Sequence, residues 1–125
     1  MRAYSDSEAI ALIRLRYWQH LLNEMLKAKQ FKVPIHLAFG HEAAAVAMDL
    51  TMQPDDVLCL THRNGAYNLA RSKAFEAELA HYRLESRPDG VGHMASMNLA
   101  MEHTGIAYAS SILGNALAVA SGIAL

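Results

Sequence analysis

Apolar positions recur every three or four residues from Ile10 onward, with Ile13, Tyr17, Trp18, Leu21, Leu22, Met25 and Leu26 following helical spacing. That pattern predicts a long helix. Its start is marked by Ser5-Asp6-Ser7-Glu8, a capping box in which a Ser oxygen and a Glu three residues on satisfy free backbone amides reciprocally. The helical pattern fades across residues 27–32, and Pro34 forces the chain to be extended as it reaches Ile35-His36-Leu37. After Gly40 an Ala-rich run predicts a second helix from about His41 to Met52, ended by Gln53-Pro54-Asp55. Asp56 to Thr61 (DVLCLT), a short apolar run behind a turn signal, predicts a strand. A loop follows at His62-Arg63-Asn64-Gly65, then helical segments near Ala66–Arg71 and Phe75–Leu84. Arg87-Pro88-Asp89-Gly90 reads as a turn, and Gly90 to Ile106, without a clean period, as a loop.

Residues Ser110 to Leu125 (SSILGNALAVASGIAL) are small and apolar, with Gly114, Ala116, Ala118, Ala120 and Gly122 keeping the surface slim. They predict a tightly packed, buried helix beginning near Ile112 or Gly114. It has no Gly or Asn cap and no basic last turn, so it is expected to be covered by further sequence or by another chain. The whole order predicts an α/β class, helix-rich in this segment. Residues 1–125 form a single partial domain that contributes at least one strand to a parallel sheet, with the remaining strands beyond residue 125.

Composition narrows the class. An apolar share of 53%, a little above the usual soluble range, points to surface buried against a partner or in a larger core. The net charge of −1, with both signs interspersed, gives no electrostatic footprint for nucleic acid. No apolar run reaches the roughly 18–20 residues of a membrane helix. The amino-terminal stretch MRAYSDSEAI resembles neither a secretory signal nor a transit peptide. One cysteine, Cys59, rules out an internal disulfide and fits a reducing compartment, with the cytoplasm as default.

Several residues carry candidate chemistry, each with a plain structural reading beside it. His36, just after a proline in an extended segment, can handle protons near neutrality or serve as a hydrogen-bonded structural histidine. His36 with His41-Glu42 does not have the one-turn spacing of a zinc-binding helix, so no metal is assigned. Glu42 in a first helical turn is accounted for by the helix dipole. Thr61-His62-Arg63 follows a strand directly, where ligands of open α/β sheets bind, and Arg63 there can grip a phosphate or carboxylate or pair with a nearby acid. Gly92 to Asn98 has the length and composition of a functional loop or of a plain connection. Ser110 to Gly114 precedes a helix, where free amides favour polar ligand edges and serines also act as caps.

The order of these blocks resembles the amino-terminal part of the alpha subunit of thiamine-diphosphate-dependent 2-oxo acid dehydrogenases, the pyruvate, branched-chain and acetoin group. Ile13-Arg14-Leu15-Arg16 resembles the family's opening basic helix, and Ile35-His36-Leu37 through Gly40-His41-Glu42-Ala43 resembles its H-L-x-x-G-Q-E-A. Pro54-Asp55-Asp56, Thr61-His62-Arg63, Gly92 to Leu99 and Ser110 to Leu125 resemble further blocks in the same order. The resemblance implies an oxidoreductase that decarboxylates a 2-oxo acid on thiamine diphosphate with magnesium and passes the acyl group to lipoyl. It implies an active-site role for His36, contacts to the cofactor diphosphate for His62 and Arg63, and backbone contacts to the aminopyrimidine at Ser111 and Leu113. It also implies partners: a beta subunit, further copies of the chain in a hetero-oligomer, and a lipoyl-bearing acyltransferase. The chain departs from the pattern in several places, among them the Gln of G-Q-E-A, which is His41, and a Pro of the last block, which is Ala118. The Gly-Asp-Gly and distal Asn that hold magnesium are not among these residues, and a family His falls at Gly65. A loop His falls at Asn98, and two loop glycines are Met94 and Ala95. The chain alone is therefore expected to be inactive, and a non-catalytic relative that keeps the packing surfaces is the alternative.

Overall fold

The computed structural model describes residues 4–31, 34–83 and 104–125. Helix α1 (Asp6–Lys27) opens on the capping box, the Glu8 amide donating to Ser5 Oγ at 3.3 Å and the Ser5 amide to Glu8 Oε2 at 2.6 Å. There follow α2 (Glu42–Thr51), β1 (Leu58–Thr61), α3 (Gly65–Ser72), α4 (Phe75–Tyr82), β2 (Ile106–Ser110) and α5 (Asn115–Ile123). Leu15 and Leu22 of α1 meet Ala45 and Val46 of α2, Ala66, Leu69 and Ala70 of α3, and Leu79 and Tyr82 of α4 in one core. The alanines at the crossings let the helix backbones approach closely enough to exclude water.

The sheet differs from the sequence expectation. A second strand lies within the chain: β2 pairs with β1 in parallel, with Leu58 opposite Ile106 and Thr61 opposite Ser110. The remaining strands are thus not all beyond residue 125. Ile106 is buried against Leu58 and Leu60, but the Ala107, Ala109 and Ser110 around it carry little β signal, which hid the strand. Gly105 makes the pairing geometry reachable. Its φ of +74° and the 3.0 Å that would separate a Cβ from Asp56 O require glycine, and its carbonyl accepts from the Leu58 amide at 2.7 Å.

Helix α5 packs on both strands, yet none of its residues is buried. Asn115, Ala116, Val119 and Ala120 are half-buried on one side, while Leu113 and Leu117 are 79% and 78% exposed. Within this chain its slim face meets the strands and Leu117 points away from them. α1 shows the same division, with Leu15 and Leu22 inside and Ile10, Ile13 and Tyr17 exposed.

Polar ties also join the elements. Arg71 of α3 donates from Nη1 to Asp49 Oδ1 of α2 at 2.8 Å and from Nε to Thr104 O, beside β2, at 2.7 Å. Glu42, the first residue of α2, is buried and accepts from Arg16 through two parallel bonds of 2.7 and 2.9 Å. The same carboxylate accepts from Gln19 Nε2 at 2.7 Å and from the Gly40 amide at 3.0 Å. The Arg16 partnership first, against the opposing cost of burial, holds the Glu42 carboxyl below its ordinary range.

One buried acid has no such partner. Glu78 of α4 is 0% exposed, and neither of its carboxyl oxygens closes a well-formed hydrogen bond. Burial pushes it up to about 7, and the Ser72 and Tyr82 hydroxyls draw it back only in part. A carboxyl raised in the folded state adds stability that is complete below its unfolded value and is lost as pH rises through the folded value. The rise from 4.5 to about 7 corresponds to roughly 3 kcal/mol across that window. Urea unfolding between pH 4.5 and 8 is expected to show stability falling over that range in the wild type, and Glu78→Gln is expected to flatten the fall. An unchanged pH profile in the variant would show that Glu78 ionises without penalty.

Candidate functional site

The register of the two strands places the candidate residues. Because Thr61 pairs with Ser110, His62-Arg63 and Ser111 to Leu113 leave the carboxyl edge of the sheet side by side. The extended segment 34–40 runs against this edge, and α3 begins there with Gly65, where a Cβ would lie 3.5 Å from His36 O. His36 and His62 meet edge-on, with ring centroids 4.6 Å apart and an interplanar angle of 89°. Arg63 Nη1 donates to Leu37 O at 3.3 Å. His36, His62 and Arg63, separated by 26 residues at the first step of that chain path, are thus one cluster.

A cleft of about 530 Å³ opens beside this cluster, with His36, His41, Phe39 and Arg63 among its walls and Asn23 and Leu26 of α1 behind. The Nδ1 atoms of His36 and His62 are buried and unpartnered. Burial first, then the neighbouring His62 and the Arg63 guanidinium, lower the His36 pKa below the ordinary histidine value. His36 is therefore a neutral imidazole at neutral pH, able to donate from one nitrogen and accept at the other. His41 Nδ1 lies 3.3 Å from the Tyr67 hydroxyl of α3.

Ser111 and Leu113 sit on the exposed turn between β2 and α5. The turn is shaped by the Ile112 amide donating to Ser110 Oγ at 3.1 Å and by Gly114 at φ +82°. Asn115 Nδ2 donates to the Tyr108 hydroxyl at 2.6 Å and fixes the start of α5 to β2. Among the described residues no hydrogen bond or ring contact joins Ser111 or Leu113 to the histidine and arginine cluster. The Gly92 to Leu99 loop, with Met94, Ala95 and Asn98, and the turn at Arg87 to Gly90 lie outside the described residues. Sequence reasoning missed the part played by Arg16, Gln19 and Glu42. The helix-dipole account of Glu42 captures only the Gly40 amide, since its other partners come from a helix 23 and 26 residues away.

The chain matches the dehydrogenase E1 component family over residues 13–125. It belongs to that family, which is generally dependent on thiamine diphosphate. No curated protein and no solved structure gives a significant match. The family assignment agrees with the helices and the parallel strand pair found among the described residues of this α/β segment.

The residues at the carboxyl edge fit the diphosphate end of such a cofactor. Arg63 brings a fixed positive charge to the cleft, and His36 stands in the same wall. For the magnesium no donor set is present among the described residues: no group of three His, Cys, Asp or Glu side chains converges.

A histidine whose folded pKa is lowered contributes stability that is present above its unfolded value and lost as pH falls through the folded value. Proton NMR titration of the histidine rings is expected to show His36 titrating below the ordinary value of 6.5. Arg63→Gln should move it upward, since the guanidinium opposes the imidazolium. A His36 titration that ignores Arg63→Gln would separate the two side chains electrostatically.

Proposed function

We propose that this chain is part of the alpha-type subunit of a 2-oxo acid dehydrogenase of the pyruvate, branched-chain or acetoin group. The observation that carries the reading is the meeting of His36, His62 and Arg63 at the carboxyl edge of two parallel strands, in a chain of this family. Arg63 and His62 would hold the diphosphate of thiamine diphosphate, the arginine through its fixed positive charge. Ser111 and Leu113 hold the aminopyrimidine through their backbone, on the turn that leaves β2 beside β1. His36, neutral and lining the cleft, orients the 2-oxo acid and holds or moves a proton at its free ring nitrogen. The bound cofactor supplies the electron sink for decarboxylation.

Magnesium ligands come from sequence other than these residues, and a beta subunit completes the pocket. Acyl transfer goes to a lipoyl group on an acyltransferase partner. No helix among the described residues is long and apolar enough to cross a membrane. The lone Cys59 supports a cytoplasmic setting. One observation favours a second reading, a non-catalytic relative that keeps the packing surfaces. Residue 65, whose side chain would stand beside His36, is glycine, and the space for a Cβ there is ordinary.

Calorimetric titration of the chain with thiamine diphosphate and magnesium is expected to give weak binding. Arg63→Gln should weaken it by about tenfold, the scale of one lost charge-assisted hydrogen bond. Decarboxylation of a 2-oxo acid is expected only with a beta subunit present. Equal binding by wild type and variant would remove Arg63 from the cofactor site, and turnover by the chain alone would overturn its dependence on a partner. Binding without any turnover in the assembled hetero-oligomer would select the non-catalytic reading.

A further inference from the structure

Gln19 is a fully buried polar side chain in the middle of α1, a place where a leucine would serve the core equally well. Both of its ends are engaged. Nε2 donates to Glu42 Oε1 at 2.7 Å, and Oε1 accepts from the Ala38 amide at 2.8 Å. The amide can take only this orientation, because a carboxylate needs a donor and a backbone N–H needs an acceptor. The peptide group whose N–H belongs to Ala38 carries the carbonyl of Leu37, and that carbonyl accepts from Arg63 Nη1 at 3.3 Å. The bonds therefore form one path: Arg16 to Glu42, Glu42 to Gln19, Gln19 to the 37–38 peptide, and that peptide to Arg63. Each donor in such a chain polarises the next acceptor, so the 37–38 carbonyl is a better acceptor for Arg63 than an isolated one.

We propose that Gln19 is a positioning residue for the candidate anion site: by holding the 37–38 peptide, it fixes where the Arg63 guanidinium sits at the carboxyl edge of the strands. That peptide lies one residue beyond His36, so the imidazole stands close to the same anchor. Neighbouring α1 side chains seat the rest of the segment. His20 lies against Phe39 with centroids 4.9 Å apart, and the Arg16 guanidinium lies 5.7 Å from the centre of the Phe39 ring. A single buried glutamine of α1, with the exposed Arg16 and His20 beside it, thus bears on the geometry of an exposed arginine. This rests on the reading of Arg63 as a diphosphate contact, but the positioning itself is measurable without it.

The test uses the full chain, labelled with nitrogen-15, and inorganic pyrophosphate as the probe. Gln19→Met keeps the length of the side chain and removes both hydrogen bonds. It is expected to move the Ala38 amide and Arg63 Nε signals and to weaken pyrophosphate binding by about tenfold, the scale at which outer-shell partners of bound metals act. Gln19→Glu keeps the volume, opposes two carboxylates and is expected to move the same signals. Adding Glu42→Gln to it rebuilds the bridge with the roles reversed and should bring the signals and the affinity back toward wild type. Leu22→Ala, a core truncation on the same helix, serves as the control and should leave Arg63 in place. Folded Gln19 variants with unmoved Arg63 signals would overturn the proposal, as would a Leu22→Ala variant that moves them equally. If wild type binds no pyrophosphate, the diphosphate reading fails, and the Arg63 signals still decide the role of Gln19.

Discussion

A carboxylate taken out of water must be met by donors on every side, and in this protein Glu42 imposes that condition on three separate stretches of chain. Its two oxygens are filled by Arg16 and Gln19 from α1 and by the Gly40 amide from the segment just before its own helix. An unpaired charge in that position would be strongly unfavourable, so α1, the 36–40 segment and the start of α2 have little freedom to move apart. Apolar contacts between Leu15, Ala45 and Ala66 hold the helices together without direction. The carboxylate supplies the direction, because its lone pairs accept only from certain angles.

The second constraint is the parallel strand pair. Parallel strands present both carboxyl ends at one edge, which gathers the loops that follow them even when those loops are far apart in the chain. Here that edge receives His62-Arg63 from β1 and Ser111 to Leu113 from β2, while the Glu42-anchored segment brings His36 to meet them. Gly105 and the Arg71 tie to Asp49 and Thr104 set β2 in register, so the edge is held from below as well. The candidate site is therefore a consequence of two unrelated requirements, burial of a charge and pairing of strands.

The exposed large side chains of α1 and α5 complete this picture. Ile10, Ile13 and Tyr17 on one helix and Ile112, Leu113 and Leu117 near the other are solvent-facing apolar groups. The apolar excess noted in the composition is placed here: much of it is not in the core.

What the amino-acid order determined unaided was local. The capping box at Ser5 and Glu8, the extended course after Pro34, the strand ending at Thr61 and the family resemblance all follow from neighbours within a few residues, and each is present in the fold. The site residues His36, His62 and Arg63 were legible as types in suggestive places. Their meeting was not, because no local pattern states that a ring at 36 faces a ring at 62. Strand β2 escaped because alanine and serine carry little β preference and gain their pairing only from the partner strand. The true partners of Glu42, the exposure of the large side chains of α5 and the path through Gln19 were decided by tertiary structure alone. Hydrogen bonds and burial depend on what lies opposite in space, and that is settled only when the helices have packed.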